Sequence, residues 1–337
     1  MNKFSTILFL SLFMLCENTH AQDLHFSQFF NSPLTTNPAN TGFIPDADYR
    51  LGAHYRSQWT SILSSPYKTI SVFGDAQLFR NTLENGWLGA GAVILSDQAG
   101  SGALTSTKIY GSVAYHQMLG NSSLLSAGFN LGWANKRIDD SKLKFPSQFN
   151  GKFFDNSIPS GVTFANTSVS YFDMQVGMNY AYFPKEDVYI NAGFSIHHVN
   201  RPKETFFSNS SDAIIPMRYI GFINAILKVH PRVIISPNIY YTTQAKSSEL
   251  VGGLIANYNL SEYGETQFII GAYCRYNEAV IPMAGLEWKN IRFTFSYDVT
   301  TSSLNSFNNY RGASEFNLLK NGYYPENVDR QSLCPRF

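Results

Sequence analysis

The chain has 337 residues, of which 15% are charged and 15% aromatic, and its formal net charge is +1. A soluble domain of this size normally carries more surface charge, and the near-neutral balance excludes a basic field for nucleic acid or an acidic tail. Three cysteines in the whole chain exclude a disulfide framework as well.

Residues 1–21 read as a secretory signal. Lys3 supplies the positive end, Ile7 to Leu15 is apolar apart from Ser11, and Thr19-His20-Ala21 puts a small residue before the expected cut. The run is too short to span a bilayer as a helix. Leu15 and Met14 ahead of Cys16 do not fit a lipoprotein signal. Later apolar stretches such as Ile220 to Val229 are broken, here by Asn224 and Lys228. An exported chain without a spanning helix enters a membrane only as a closed barrel, because lipid satisfies no backbone polar group.

Residues 22–47 come next. They hold Phe26, Phe29, Phe30, Pro33, Asn37, Pro38 and Gly42 with neither alternation nor a helical period. So aromatic a segment must pack somewhere. It is expected to line the periplasmic mouth of the barrel or to fold into the lumen as a plug, with Phe26, Phe29, Phe30, Asn37 and Pro38 as its contact residues.

Residues 48–319 alternate. From Tyr49 to Trp59 one face carries Tyr49, Leu51, Ala53, Tyr55 and Trp59, and the other Arg50, Gly52, His54, Arg56 and Gln58. Leu125 to Ala134, Phe172 to Tyr180, Val188 to His197 and Ile291 to Thr300 repeat the pattern. Period two over about ten residues is the length and pattern of a membrane-spanning strand. About fourteen strands are expected, starting near Tyr49, Tyr67, Gly86, Leu104, Ser122, Ser170, Asp187, Ala213, Arg232, Glu249, Glu265, Ala279, Asn290 and Arg311. Tight turns alternate with long connections, the longest being Arg137 to Val169, Asn200 to Asp212 and Thr301 to Tyr310. The expected fold is therefore all-β, a transmembrane antiparallel β-barrel in the outer membrane with both termini in the periplasm. Trp59, Trp87, Trp133, Tyr182 and Trp288 are assigned to interfacial girdles, and residues 320–337 to a tail.

Motifs for chemistry are missing from the sequence. It has no Cys-x-x-Cys, His-Glu-x-x-His or Gly-x-Ser-x-Gly. His197 and His198 are adjacent, and neighbours on a strand point to opposite faces, so they are not expected to share a metal. Gly89-Ala90-Gly91 reads as strand interior and Gly100-Ser101-Gly102 as a hairpin loop. His54 and His116 face inward without a nucleophile beside them. No cofactor, metal or catalytic residue is expected. The spacing leaves open whether Cys274 and Cys334 pair. The polar set singled out is the inward charges Arg50, Arg56, Asp75, Asp173, Arg275, Glu287, Arg292 and Asp298. They read as a paired network that stiffens the barrel or as a docking or selectivity surface, and their mixed sign does not suit a pore for one ion charge.

An ordered set of short motifs adds to this. Phe26-Ser27-Gln28-Phe29, Asn37-Pro38-Ala39-Asn40-Thr41-Gly42, Tyr55-Arg56-Ser57-Gln58-Trp59, Asp97-Gln98-Ala99-Gly100, His197-His198-Val199-Asn200-Arg201-Pro202, Ser296-Tyr297-Asp298-Val299-Thr300 and Gly312-Ala313-Ser314-Glu315, with the terminal Cys334-Pro335-Arg336-Phe337, run through almost the whole mature chain. In this order they resemble the PorP/SprF family, outer-membrane proteins of the type IX secretion system of Bacteroidota. The resemblance implies a barrel set in outer-membrane lipid whose partners are type IX secretion components and the C-terminal domain of a secreted adhesin. Such a barrel docks that protein for export or surface retention. Core-apparatus members also belong to the family, and the sequence does not separate the branches. Asn37-Pro38-Ala39 before fourteen strands also resembles fatty-acid transporters of the outer membrane, which implies the alternative of a channel for hydrophobic or small solutes.

Overall fold

The computed structural model describes residues 26–325, apart from residues 46, 81, 101–103, 156, 163, 207–212 and 262–264. The expected signal, Cys16, Cys334, Phe337, most of the expected tail and part of the Gly100-Ser101-Gly102 loop lie outside the described residues.

Fourteen antiparallel strands close into one barrel. They are β1 (Tyr49–Gln58), β2 (Tyr67–Leu78), β3 (Gly86–Ala99), β4 (Leu104–Met118), β5 (Ser123–Arg137), β6 (Ser168–Lys185), β7 (Val188–His197), β8 (Arg218–His230), β9 (Val233–Gln244), β10 (Ser247–Asn259), β11 (Thr266–Arg275), β12 (Ala279–Trp288), β13 (Ile291–Thr300) and β14 (Arg311–Gly322). Each pairs with its sequence neighbours. The ring shuts where β1 meets β14, from Tyr49 opposite Gly322 to Gln58 opposite Ala313. The fold class and the strand count agree with the sequence reading. The eighth strand is the main shift in position: it starts at Arg218 rather than near Ala213, and Ile214 instead makes an isolated bridge to Lys203. β14 also carries the wall past residue 319.

The alternation explains why a closed ring is the stable solution. Leu51, Val72, Ile94, Phe129, Phe172, Met178, Phe194, Ile239, Ile270, Phe293 and Leu318 all point outward. His54, Ser71, Ser112, Asn130, Gln175, Ser195 and Asn317, on the other parity, are buried inside. The exposed strand charges Lys68, Arg137, Lys185 and Arg311 sit at or near strand ends, where a charge meets headgroups rather than hydrocarbon. Cys274 is on the outer face.

Short connections join β6 to β7 (186–187), β8 to β9 (231–232) and β12 to β13 (289–290) at one rim. Lys289 and Asn290 both have positive φ (47° and 64°), the backbone that matches a two-residue turn to the right-handed twist of its strands. The opposite rim bears the long connections 138–167 and 198–217, and 301–310 with its helix α1 (Asn305–Asn308). β1 begins and β14 ends at the short-turn rim.

Two residues correct the reading of the wall. Trp87 is not in a girdle. It is 1% exposed and points into the lumen, stacked on His116 at 4.8 Å. Trp133, Tyr182 and Trp288 do face outward. His198 does not alternate with His197 either. β7 stops at His197, His198 takes φ 57°, and both side chains are buried on the inside.

Candidate functional site

The lumen is filled from within by the chain's own first described residues. Phe26 to Ala47 carries a 3-10 turn (Phe29–Asn31), a one-turn helix (Pro33–Thr36), and a second 3-10 turn (Pro38–Asn40). Nearly all of its residues are buried. The segment starts in the long-loop half, beside Arg56 near the top of β1 and Arg275 at the top of β11. It descends to the short-turn rim, where Gln77 Nε2 donates to the Ile44 carbonyl at 2.7 Å.

A cluster of buried charges meets its upper end. Arg56 pairs with Asp298 at 2.9 Å and with Glu315, and Arg275 pairs with Asp298 at 2.9 Å and Glu249 at 2.8 Å. The five side chains come from β1, β10, β11, β13 and β14 and are buried. Ser27 sits at the centre. Its hydroxyl donates to Asp298 at 2.9 Å and accepts from Arg56 at 2.7 Å and Arg275 at 2.5 Å. Glu315 accepts the backbone N–H groups of Ser27 and Gln28, at 2.7 and 3.0 Å. Buried charges on this scale persist only when paired and hydrogen-bonded, and the segment supplies part of that pairing.

The lower end is held differently. Asn37 donates to the Met178 carbonyl at 2.8 Å and the Phe194 carbonyl at 3.3 Å, while its Oδ1 caps Ala39 N–H at 2.9 Å. Pro38 and Thr41 press on wall glycines. A Cβ on Gly177 would sit 1.9 Å from Asn37 Oδ1, on Gly128 2.6 Å from the Pro38 carbonyl, and on Gly89 1.9 Å from the Thr41 oxygen. Only glycine admits contacts so close. Trp87 Nε1 donates to the Gly42 carbonyl and His116 Nε2 meets the Thr41 carbonyl, at 2.9 and 2.8 Å.

The sequence-singled charges thus fall into separate places. Arg56, Arg275 and Asp298 share the upper cluster. Arg50 grips Asp75 through two bonds of 3.0 and 2.8 Å, and Asp75 also accepts Gly42 N–H at 2.8 Å. Asp173 takes Tyr110 at 2.6 Å and His198 Nδ1 at 2.9 Å. Glu287 and Arg292 make a pair of their own at 2.7 Å near the short-turn rim. The aromatic candidates Phe26, Phe29 and Phe30 stack on His54, Tyr240 and Tyr273 at 4.1, 4.9 and 5.2 Å. The inward charges singled out from the sequence left out Glu315 and Glu249, and Ser27 entered only within the Phe26-Ser27-Gln28-Phe29 motif. Strand parity with Ala313 and Asn317 marks Glu315 as inward.

Above the segment, at the long-loop end, lies a cavity of about 620 Å³. Leu34, Thr35 and Arg56 reach it from below. Lys108, Tyr110, Lys136, His197, His198 and Arg218 line the wall, and Glu204 and Ile214 come from the 198–217 connection. Lys136 and Glu204 pair across it at 2.5 Å. Among the described residues, no three His, Cys, Asp or Glu side chains are grouped to hold a metal.

A plugged fourteen-strand barrel with this motif order matches the family described as "Type IX secretion system membrane protein PorP/SprF" over residues 18–319. The chain belongs to the PorP/SprF family. That family is one of type IX secretion membrane proteins. No curated protein matches it. Among solved structures, this PorP/SprF barrel is similar to the Ralstonia pickettii toluene transporter TbuX (TM-score 0.51, 11% identity, 86% of this chain and 92% of that one). It is also similar to the P. putida toluene transporter TodX (0.50, 13%, 88% and 95%) and to a TodX monoaromatic hydrocarbon channel mutant (0.52, 11%, 86% and 93%). At this identity the likeness shows the fold alone.

Proposed function

We propose that this PorP/SprF protein docks the terminal domain of a secreted protein, a large adhesin, on its long-loop face for export or surface retention. One observation carries the reading: the described residues of 26–47 lie in the lumen and bond to the wall from the long-loop half to the short-turn rim, so they stand in the bore that cargo would follow. What remains available is the face framed by 138–167, 198–217 and 301–310, with the 620 Å³ cavity beneath it. In this reading the short-turn rim faces the periplasm, toward the rest of the type IX apparatus, and the inward charges hold the plug rather than select ions. The test is copurification in mild detergent from native membranes. A large secreted protein should come down with the intact barrel and be lost when the 138–167 and 198–217 connections are shortened. An unchanged surface proteome after gene deletion would sink the proposal.

The channel reading takes support from Leu34, Val93, Leu95, Leu104, Ile214 and Ile215, the apolar part of the cavity lining. It is the weaker reading because Arg56, Lys108, Lys136, Asp97 and Glu204 line the same space, and a hydrophobic solute gains nothing from displacing their hydration. Uptake of a monoaromatic hydrocarbon into vesicles bearing the protein separates the two readings.

A further inference from the structure

The upper end of the lumen segment lies in the wall as a bound peptide lies in a receptor. Glu315 reads two successive backbone N–H groups, and Asp298, Arg56 and Arg275 read the Ser27 hydroxyl. The Gln28 amide donates to Ser296 at 2.9 Å and accepts from Thr294 at 2.6 Å. Phe26, Phe29 and Phe30 each have an aromatic partner on the wall. Backbone contacts that fix register, combined with a pocket for each side chain, are how proteins recognise extended peptides. With the cut expected after Ala21, four residues would precede Phe26 in the mature chain. The occupant can then leave without unthreading from the ring, and the cavity that shares Arg56 and Leu34 with it opens a route on the long-loop side.

We propose that β1, β9, β11, β13 and β14 form a peptide-binding site in the long-loop half of the lumen, specific for the sequence Phe-Ser-Gln-Phe-Phe. Residues 26–30 fill this site in cis, and the same sequence supplied in trans exchanges with them. The proposal does not rest on the docking reading, because it concerns what the wall recognises rather than which cargo the loops hold.

The experiment uses the full chain in detergent micelles and a fluorescent synthetic peptide of residues 22–32. Ser27→Asp adds a fourth carboxylate to a buried cluster in which Asp298, Glu315 and Glu249 already outnumber Arg56 and Arg275, and should expel the cis segment. The peptide should then bind saturably, at least about tenfold tighter than to the unmodified chain, whose binding-competent fraction is small. A peptide with aspartate in place of its serine should not bind. Gln28→Ala changes no charge and gives the same readout should Ser27→Asp fail to fold, folding being judged by heat-shifted migration on a gel. Absence of peptide binding to a folded variant overturns the proposal. So does equal binding to variant and unmodified chain, or equal binding of a scrambled peptide.

Discussion

The two ends of the lumen segment meet the same barrel through different chemistry. Residues 26–32 are held by ions and by side-chain hydrogen bonds to Glu315, Asp298, Arg56 and Arg275. Residues 33–47 add close fit to their hydrogen bonds, with backbone laid against Gly89 and Gly128 and the Asn37 side chain against Gly177 at distances no Cβ permits. The upper end is chemically specific and is the first described part of the chain. The lower end is sterically specific and is tied covalently to β1. A barrel that must stay shut yet respond at one face gains from this split, because the responsive part can change without loosening the seal.

The largest expected effect breaks the upper half. Arg275→Met removes the guanidinium that pairs with both Glu249 and Asp298 in a buried site, and removing one member of such a group costs about 3–5 kcal/mol. The urea midpoint of the refolded barrel should fall accordingly. Hydrogen exchange should show Ser27 and Gln28 amides losing protection while Ala39 and Asn40 keep theirs.

Gly89→Val attacks the lower half, since its Cβ would fall 1.9 Å from the Thr41 oxygen. The expected loss is about 3 kcal/mol, and here the protection pattern reverses, with the amides of residues 39–42 exchanging first. Equal exposure of both halves in either variant would show that they act as one unit. Asn37→Ala sharpens the contrast. It removes the donor to two strand carbonyls and the cap of the second 3-10 turn, for about 2 kcal/mol, without touching the ionic cluster. The smallest effect belongs to Lys136→Met. Its pair with Glu204 is partly exposed at the cavity and contributes less than about 1 kcal/mol, so the melting curve should barely move while any cargo contact at that rim is altered.

Much of the wall was legible because alternation is local. Tyr49–Gln58 and Ile291–Thr300 announce their inner and outer faces within ten residues, and the turns between strands carry their own backbone signatures. Trp87 shows where composition misleads. Tryptophan near a strand end suggests a girdle, but Trp87 shares parity with Gly89, Gly91 and Val93, and that parity places it inside. His198 shows the limit of the alternation rule, which ends where the strand does. The site itself was only half readable. Arg56, Arg275 and Asp298 carry the inward parity, yet that they converge on one serine depends on contacts such as Ser27 with Asp298, 271 positions apart. No periodicity within a short window encodes that.

Glu315 has a further consequence. It lies on the last strand and accepts the amide hydrogens of residues 27 and 28, 288 and 287 positions upstream. This upper end of the lumen segment therefore finds its partner only after the final hairpin has been delivered, so insertion and sealing are coupled in time. Non-local closure of this kind is slow, and an incompletely exported chain would remain unsealed, a nascent state that quality-control proteases can tell from the finished ring.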